Sequence, residues 1–90
     1  MTKTNEIISE SRVFVDVYDI SYVLIRTCSE RRTYYSVTAT LLNTKTGKVE
    51  SKSIRDITGD PDEAARIFRL ICDGAVTPMT LEDVVCDLIS

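Results

Sequence analysis

Between Arg12 and Leu42 apolar and polar positions alternate with a period of two, in residues rich in Val, Ile, Thr and Tyr, which is the pattern of half-buried β-strands. Val13, Val15 and Val17 alternate with Phe14, Asp16 and Tyr18, and then the phase changes, because Ile20, Tyr22 and Leu24 alternate with Ser21, Val23 and Ile25. The change predicts either a break or bulge near Asp19, or one long bent strand whose second half is buried on both faces. The polar run Ser29-Glu30-Arg31-Arg32 predicts a turn. In the strand that follows, Thr33 to Leu42, Tyr35, Val37, Ala39 and Leu41 share one face while Tyr34, Ser36, Thr38 and Thr40 share the other, as in an antiparallel strand with one wet side. Asn43 to Lys48 reads as a hairpin loop in which Gly47 supplies a positive φ. A further strand, about Val49 to Ile57, is polar along most of its length, which suits a sheet edge.

After residue 57 the period lengthens to that of a helix. Thr58-Gly59-Asp60-Pro61-Asp62-Glu63 carries a helix start, with Asp60 as N-cap, Pro61 at the first helical position and Glu63 placed for a capping box. The helix is expected over 60–73, with Gly74 as a left-handed C-cap. Ala64, Ile67, Phe68 and Ile71 form its apolar stripe, and Arg66, Arg69 and Asp73 point outward. A second helix is expected over 78–89: Thr77 caps Pro78, and Leu81, Val84, Val85 and Leu88 recur at helical spacing. The pattern predicts a single domain over 1–90 of the α+β class. Its meander of three to four antiparallel strands spans 12–57, two C-terminal helices cover one face of the sheet, and residues 1–11 are flexible.

Composition narrows the function classes. Ninety residues, 43% hydrophobic and 28% charged, suffice for one small core. The longest apolar run, Tyr22-Val23-Leu24-Ile25, falls far short of the roughly 20 residues of a membrane span, and MTKTNEIISESR contains no apolar block of the kind a signal peptide needs. The expected location is the cytoplasm, with no membrane partner. Cys28, Cys72 and Cys86 are odd in number, widely spaced and without a C-x-x-C pair, so they read as reduced thiols rather than a disulfide framework or a zinc site. Histidine is absent, which removes triads, His-paired cysteines and His-ligated metals, and no glycine-rich phosphate loop occurs. The acids Asp56, Asp60, Asp62 and Glu63 match no calcium-loop spacing and serve the helix start. Neither an enzyme nor a cofactor or metal is expected.

Charge is divided unevenly along the chain. Residues 1–55 hold nine Lys and Arg against six acids, whereas residues 56–90 hold eight acids against Arg66 and Arg69. Two candidate surfaces follow. One is the tail, where Asp83 and Asp87 are like charges at i, i+4 near a helix C-terminus, each costing a few tenths of a kcal/mol. With Glu82 they form a candidate partner-binding face, or else they pair internally with Arg55 or Arg26. The other is a basic, aromatic surface for nucleic acid, built from Arg31, Arg32, Tyr34, Lys45 and Lys48 with Arg26, against which stands the acidic pI of about 4.8. Tyr22 and Tyr35 are expected in the core. Cys28, near the turn with Arg26, Arg31 and Arg32, is a candidate thiol without a resolving partner.

The order of these pieces resembles a family of small bacterial proteins of about this length that is known only as a domain of unknown function. The resemblance covers roughly residues 18–89 and rests on Ser53-Ile54-Arg55-Asp56-Ile57-Thr58, read as S-I-x-D-I-[ST], and on Thr77-Pro78-Met79-Thr80-Leu81-Glu82-Asp83-Val84-Val85-Cys86-Asp87, read as T-P-x-x-L-x-D-V-x-x-D. It implies a compact α+β module in the bacterial cytoplasm and no particular activity. The function expected is that of a non-catalytic protein-interaction or regulatory module with a protein partner. Nucleic-acid binding is the alternative, and dimerisation is open to so small a domain.

Overall fold

The computed structural model describes residues 3–89, which form four strands followed by two helices. Strands β1 (Thr4–Val15), β2 (Tyr18–Cys28), β3 (Thr33–Asn43) and β4 (Val49–Thr58) make one antiparallel sheet in the order β1-β2-β3-β4. Helices α1 (Pro61–Asp73) and α2 (Pro78–Ile89) cover one face. The α+β meander is therefore the fold, and all four strands of its upper estimate are present.

The phase change near Asp19 has its cause two residues earlier. Asp16 and Val17 form a tight turn in which Asp16 takes φ 57, so the chain reverses and Tyr18 pairs back onto Val15. Positive φ at the first central residue of a two-residue hairpin normally goes to glycine or asparagine, and aspartate tolerates it next best. Residues 1–11, expected to be flexible, are strand from Thr4 onward. Arg12 pairs with Asp19 at 2.9 Å, Glu6 with Arg26, and Thr27 donates to the Asn5 side chain at 2.8 Å, so the polar character of β1 is used in cross-strand pairing. A bulge at Ile8, between the Ile7–Ile25 and Ser9–Leu24 pairs, interrupts this edge strand.

The core lies between the sheet and the helices. Ile20, Tyr22 and Leu24 of β2, Tyr35, Val37 and Ala39 of β3, and Ile57 of β4 meet Ala64, Ile67, Phe68, Ile71, Leu81 and Val85. Ile54 and Ile57 both serve this core, although residues three apart in a regular strand point to opposite faces. Asp56 resolves the conflict: it stands at φ 58 where the β3–β4 register shifts, with Arg55, Asp56 and Ile57 opposite Ser36 alone, and this irregularity returns Ile57 to the inner face. The S-I-x-D-I-[ST] segment thus has a structural explanation in its bulge.

Two details of α1 differ from expectation. Asp60 does cap, accepting the Asp62 backbone N–H at 2.9 Å, but Glu63 forms no capping box; it bonds Arg66, and Thr58 Oγ1 accepts the Asp60 N–H instead. Gly74 is not the left-handed residue, since its φ is −85; Ala75, one position later, holds φ 48. The bonds Val76 N–H to Ile71 O (3.2 Å) and Ala75 N–H to Cys72 O (3.1 Å) are those of a Schellman motif with Ala75 in the glycine position. Ala75→Gly is accordingly expected to stabilise the domain by about 1 kcal/mol, read as a higher urea midpoint at unchanged slope. Arg66 also donates to the Leu88 carbonyl at 3.2 Å, so α1 supplies the cation that the end of α2 lacks. Thr77 precedes α2 with its hydroxyl against that of Thr80 at 3.1 Å, and its carbonyl accepts the Thr80 N–H.

Candidate functional site

Strand parity separates the tyrosines. Tyr35 faces the helices, whereas Tyr34 points to the face that no helix covers, and it is buried while standing outside the apolar core cluster. Cations shield it. Arg32 Cζ lies 5.1 Å from the ring centroid, and Lys3 Nζ and Arg55 Cζ lie at 5.9 Å. Arg55 Nη2 donates to the Tyr34 hydroxyl at 2.8 Å. That bond, with one from Lys3, holds the phenol below its ordinary pKa, because positive neighbours favour the phenolate.

The fold brings these groups together from four places: Lys3 just before β1, Arg31 and Arg32 in the β2–β3 turn, Tyr34 at the head of β3, and Arg55 on β4 just before Asp56. The turn is fixed by Ser29, whose N–H and hydroxyl both donate to the Arg32 carbonyl at 3.0 Å. Arg32 forms an ion pair with Asp56. Lys3, Ser29, Glu30, Arg31, Arg32, Tyr34 and Arg55 line an open cleft of about 560 Å³. It continues along the uncovered face into a shallower groove of about 320 Å³ bordered by Asn5, Thr27, Ser36, Thr38 and Ser53. The surface is cationic at one end and hydroxyl-lined beyond.

Of the residues named as a nucleic-acid surface, Arg31, Arg32 and Tyr34 meet in this cleft, and Lys45 and Lys48 do not. The latter sit in the β3–β4 loop at the opposite end of β3, whose eleven residues span roughly 35 Å at the usual strand rise. Lys3 and Arg55 complete the cluster and were not named with it; the parity that puts Tyr34, Ser53 and Arg55 outward was the available signal for Arg55, and Lys3 had none. Arg26 lies on the helix side, paired with Glu6.

In the tail, α2 turns Leu81 and Val85 inward and leaves Glu82, Asp83 and Asp87 exposed. Glu82 meets Lys52 at 3.5 Å. Arg55 and Arg26, the expected internal partners of Asp83 and Asp87, are engaged with Tyr34 and Glu6. Thr33 Oγ1 lies 3.6 Å from Cys28 Sγ, and the three cysteines are unbridged. At the far end of the sheet Val15, Tyr18, Ile20, Leu41 and Met79 border a mainly apolar cavity of about 430 Å³. Among the described residues there is no group of His, Cys, Asp and Glu suited to a metal ion, and no helix is long and apolar enough to cross a membrane.

Comparison with known proteins finds one family, DUF6514, described as a family of unknown function, which matches residues 1–90. The match takes in β1 as well as the part of the chain from which the resemblance was drawn. No curated protein and no solved structure matches.

Proposed function

We propose, for a chain that belongs to the family of unknown function DUF6514, the role of a non-catalytic protein-interaction module that docks an anionic segment of a partner protein in the basic cleft. One observation carries the proposal: Lys3, Arg32 and Arg55 converge on Tyr34, with Arg31 beside them, on a sheet face left free of helices. Gathering like charges costs free energy unless an anion offsets it, and a rule broken locally often has its compensation in a ligand. The bacterial cytoplasm belongs to the same proposal, supported by three cysteines that form no bridge.

Two features favour protein over nucleic acid. Lys3, Arg31, Arg32 and Arg55 lie at one end of the sheet and Lys45 and Lys48 at the other, so they trace no continuous backbone track, and the Tyr34 ring is surrounded by cations and offers no open face for base stacking. Fluorescence anisotropy with a labelled Asp/Glu-rich peptide tests the proposal beside a single-stranded oligonucleotide of equal charge. The peptide is expected to bind, and Arg31→Ala/Arg55→Ala to weaken it at least about tenfold, since a charge-assisted contact contributes about 1.5–3 kcal/mol. Tighter binding of the oligonucleotide through the same arginines would replace this function with nucleic-acid recognition.

A further inference from the structure

The charge balance of the cleft specifies which anion it takes. Lys3, Arg31, Arg32 and Arg55 are opposed by Glu30 on the rim and by Asp56, which pairs with Arg32; four cations against two acids leave a surplus of two positive charges. A side-chain carboxylate, with one negative charge, leaves half of that surplus uncompensated. A phosphoryl monoester carries about −1.5 to −2 at pH 7 and offers three acceptor oxygens, so it matches the cleft in both charge and number of acceptors.

The donors fit the same ligand. Guanidinium groups present fork-shaped pairs of N–H donors that meet phosphate oxygens bidentately, whereas an ammonium acts as a point charge. Arg32 and Arg55 are held in place, the first by Asp56 and the second by the Tyr34 hydroxyl. Arg31 is exposed on the turn. Two fixed guanidinium groups and one at the mouth form a pre-oriented receptor, and the hydroxyl-lined groove beyond Tyr34 gives an extended chain somewhere to lie.

We infer that the cleft recognises a phosphorylated side chain in an extended segment of a partner protein, which makes docking switchable by phosphorylation of that partner. This inference rests on the anionic-segment function proposed above and names its ligand. The test is titration of the full chain with three peptides of one Gly/Ser-rich sequence, carrying phosphoserine, glutamate or serine at the central position, and with inorganic phosphate. The phosphoserine peptide is expected to bind at least about tenfold more tightly than the glutamate peptide. Its affinity should fall between pH 7.5 and 5.5, as the phosphoryl group passes its second pKa near 6, while the glutamate peptide stays constant over that window. Arg31→Ala, at an exposed turn position, should remove most of the preference without unfolding the protein, as circular dichroism would verify.

Equal binding of the glutamate and phosphoserine peptides would overturn the phosphoryl assignment and leave the anionic-segment function standing. Binding of none of these peptides would overturn the phosphoryl assignment, and failure of the Asp/Glu-rich peptide as well would overturn both. Inorganic phosphate binding as tightly as the phosphopeptide would make the ligand a free anion and overturn the docking of a partner.

Discussion

Leu81→Ala is expected to lower the stability of the domain by about 3 kcal/mol, which for a chain of this size shifts the urea midpoint by roughly 2–3 M. Leu81 has 0% exposure and is joined in the core by Val85 of its own helix, Ile67 and Ile71 of α1, and Val37, Ala39 and Ile57 of the sheet. Removing three heavy atoms there loses their transfer free energy and leaves a cavity. Strands and a second helix surround the site and limit its collapse, so the loss belongs in the middle of the usual range for such truncations. Since total stability of a small domain is about 5–15 kcal/mol, the variant remains folded but marginal. Asp83→Ala, two residues along and exposed, is expected to change stability by less than about 0.5 kcal/mol. A comparable loss at Asp83 would make the outer face of α2 structural. The contrast separates the two faces of the tail: Leu81, Val85 and Leu88 pack into the core, whereas Glu82, Asp83 and Asp87 lie on the outer face.

How much of this was legible in the sequence depended on how local the cause was. The start of α1 is written in Asp60 and Pro61 because a cap acts within one turn. The loop at Asn43–Lys48 is written in Gly47, whose φ of 77 is costly for other residues. The Asp16-Val17 turn showed only as the phase change read near Asp19, because Val17 is a poor turn former and Val13, Val15 and Val17 carry the alternation straight through the turn. The bulge at Asp56 was hidden for the opposite reason, since Ile54 and Ile57 look out of phase until one residue is set aside. Gly74 was mistaken for the left-handed position because composition points to glycine, while the hydrogen bonds place Ala75 there. The cleft was legible only in part. Arg31, Arg32 and Tyr34 are neighbours in the chain, but Lys3 and Arg55 arrive through strand pairing, and that register is fixed by two bulges that periodicity does not display and by a turn that it shows only as a phase change.

Tyr22 gives the domain an alkaline limit of its own. Its side chain is fully buried, its hydroxyl donates to the Val76 carbonyl at 2.7 Å, and burial, with a smaller contribution from the neighbouring Cys72, pushes its pKa up to about 12 from 10.0. A phenol that ionises later in the folded chain than in the unfolded chain stabilises the fold fully below pH 10. That stabilisation disappears as pH rises from 10 to 12, because there the unfolded state has lost the proton that the folded state still holds. The slope is about 1.4 kcal/mol per pH unit and the total at most about 2.7 kcal/mol. The thiol of Cys72, also raised mainly by burial, adds loss of the same sign at somewhat lower pH, while Tyr34, with its pKa lowered by Arg55 and Lys3, acts with the opposite sign below pH 10. The range above pH 10 is therefore where Tyr22 is read most cleanly. Urea unfolding at pH 8, 10 and 11 is expected to show a steep loss over the last step. Tyr22→Phe should cost about 1–2 kcal/mol at pH 8, where it leaves the Val76 carbonyl short of a donor, and should flatten the decline between pH 10 and 11. An equally steep decline in Tyr22→Phe would assign the alkaline limit to other groups and make the hydroxyl of Tyr22 a hydrogen-bond donor alone.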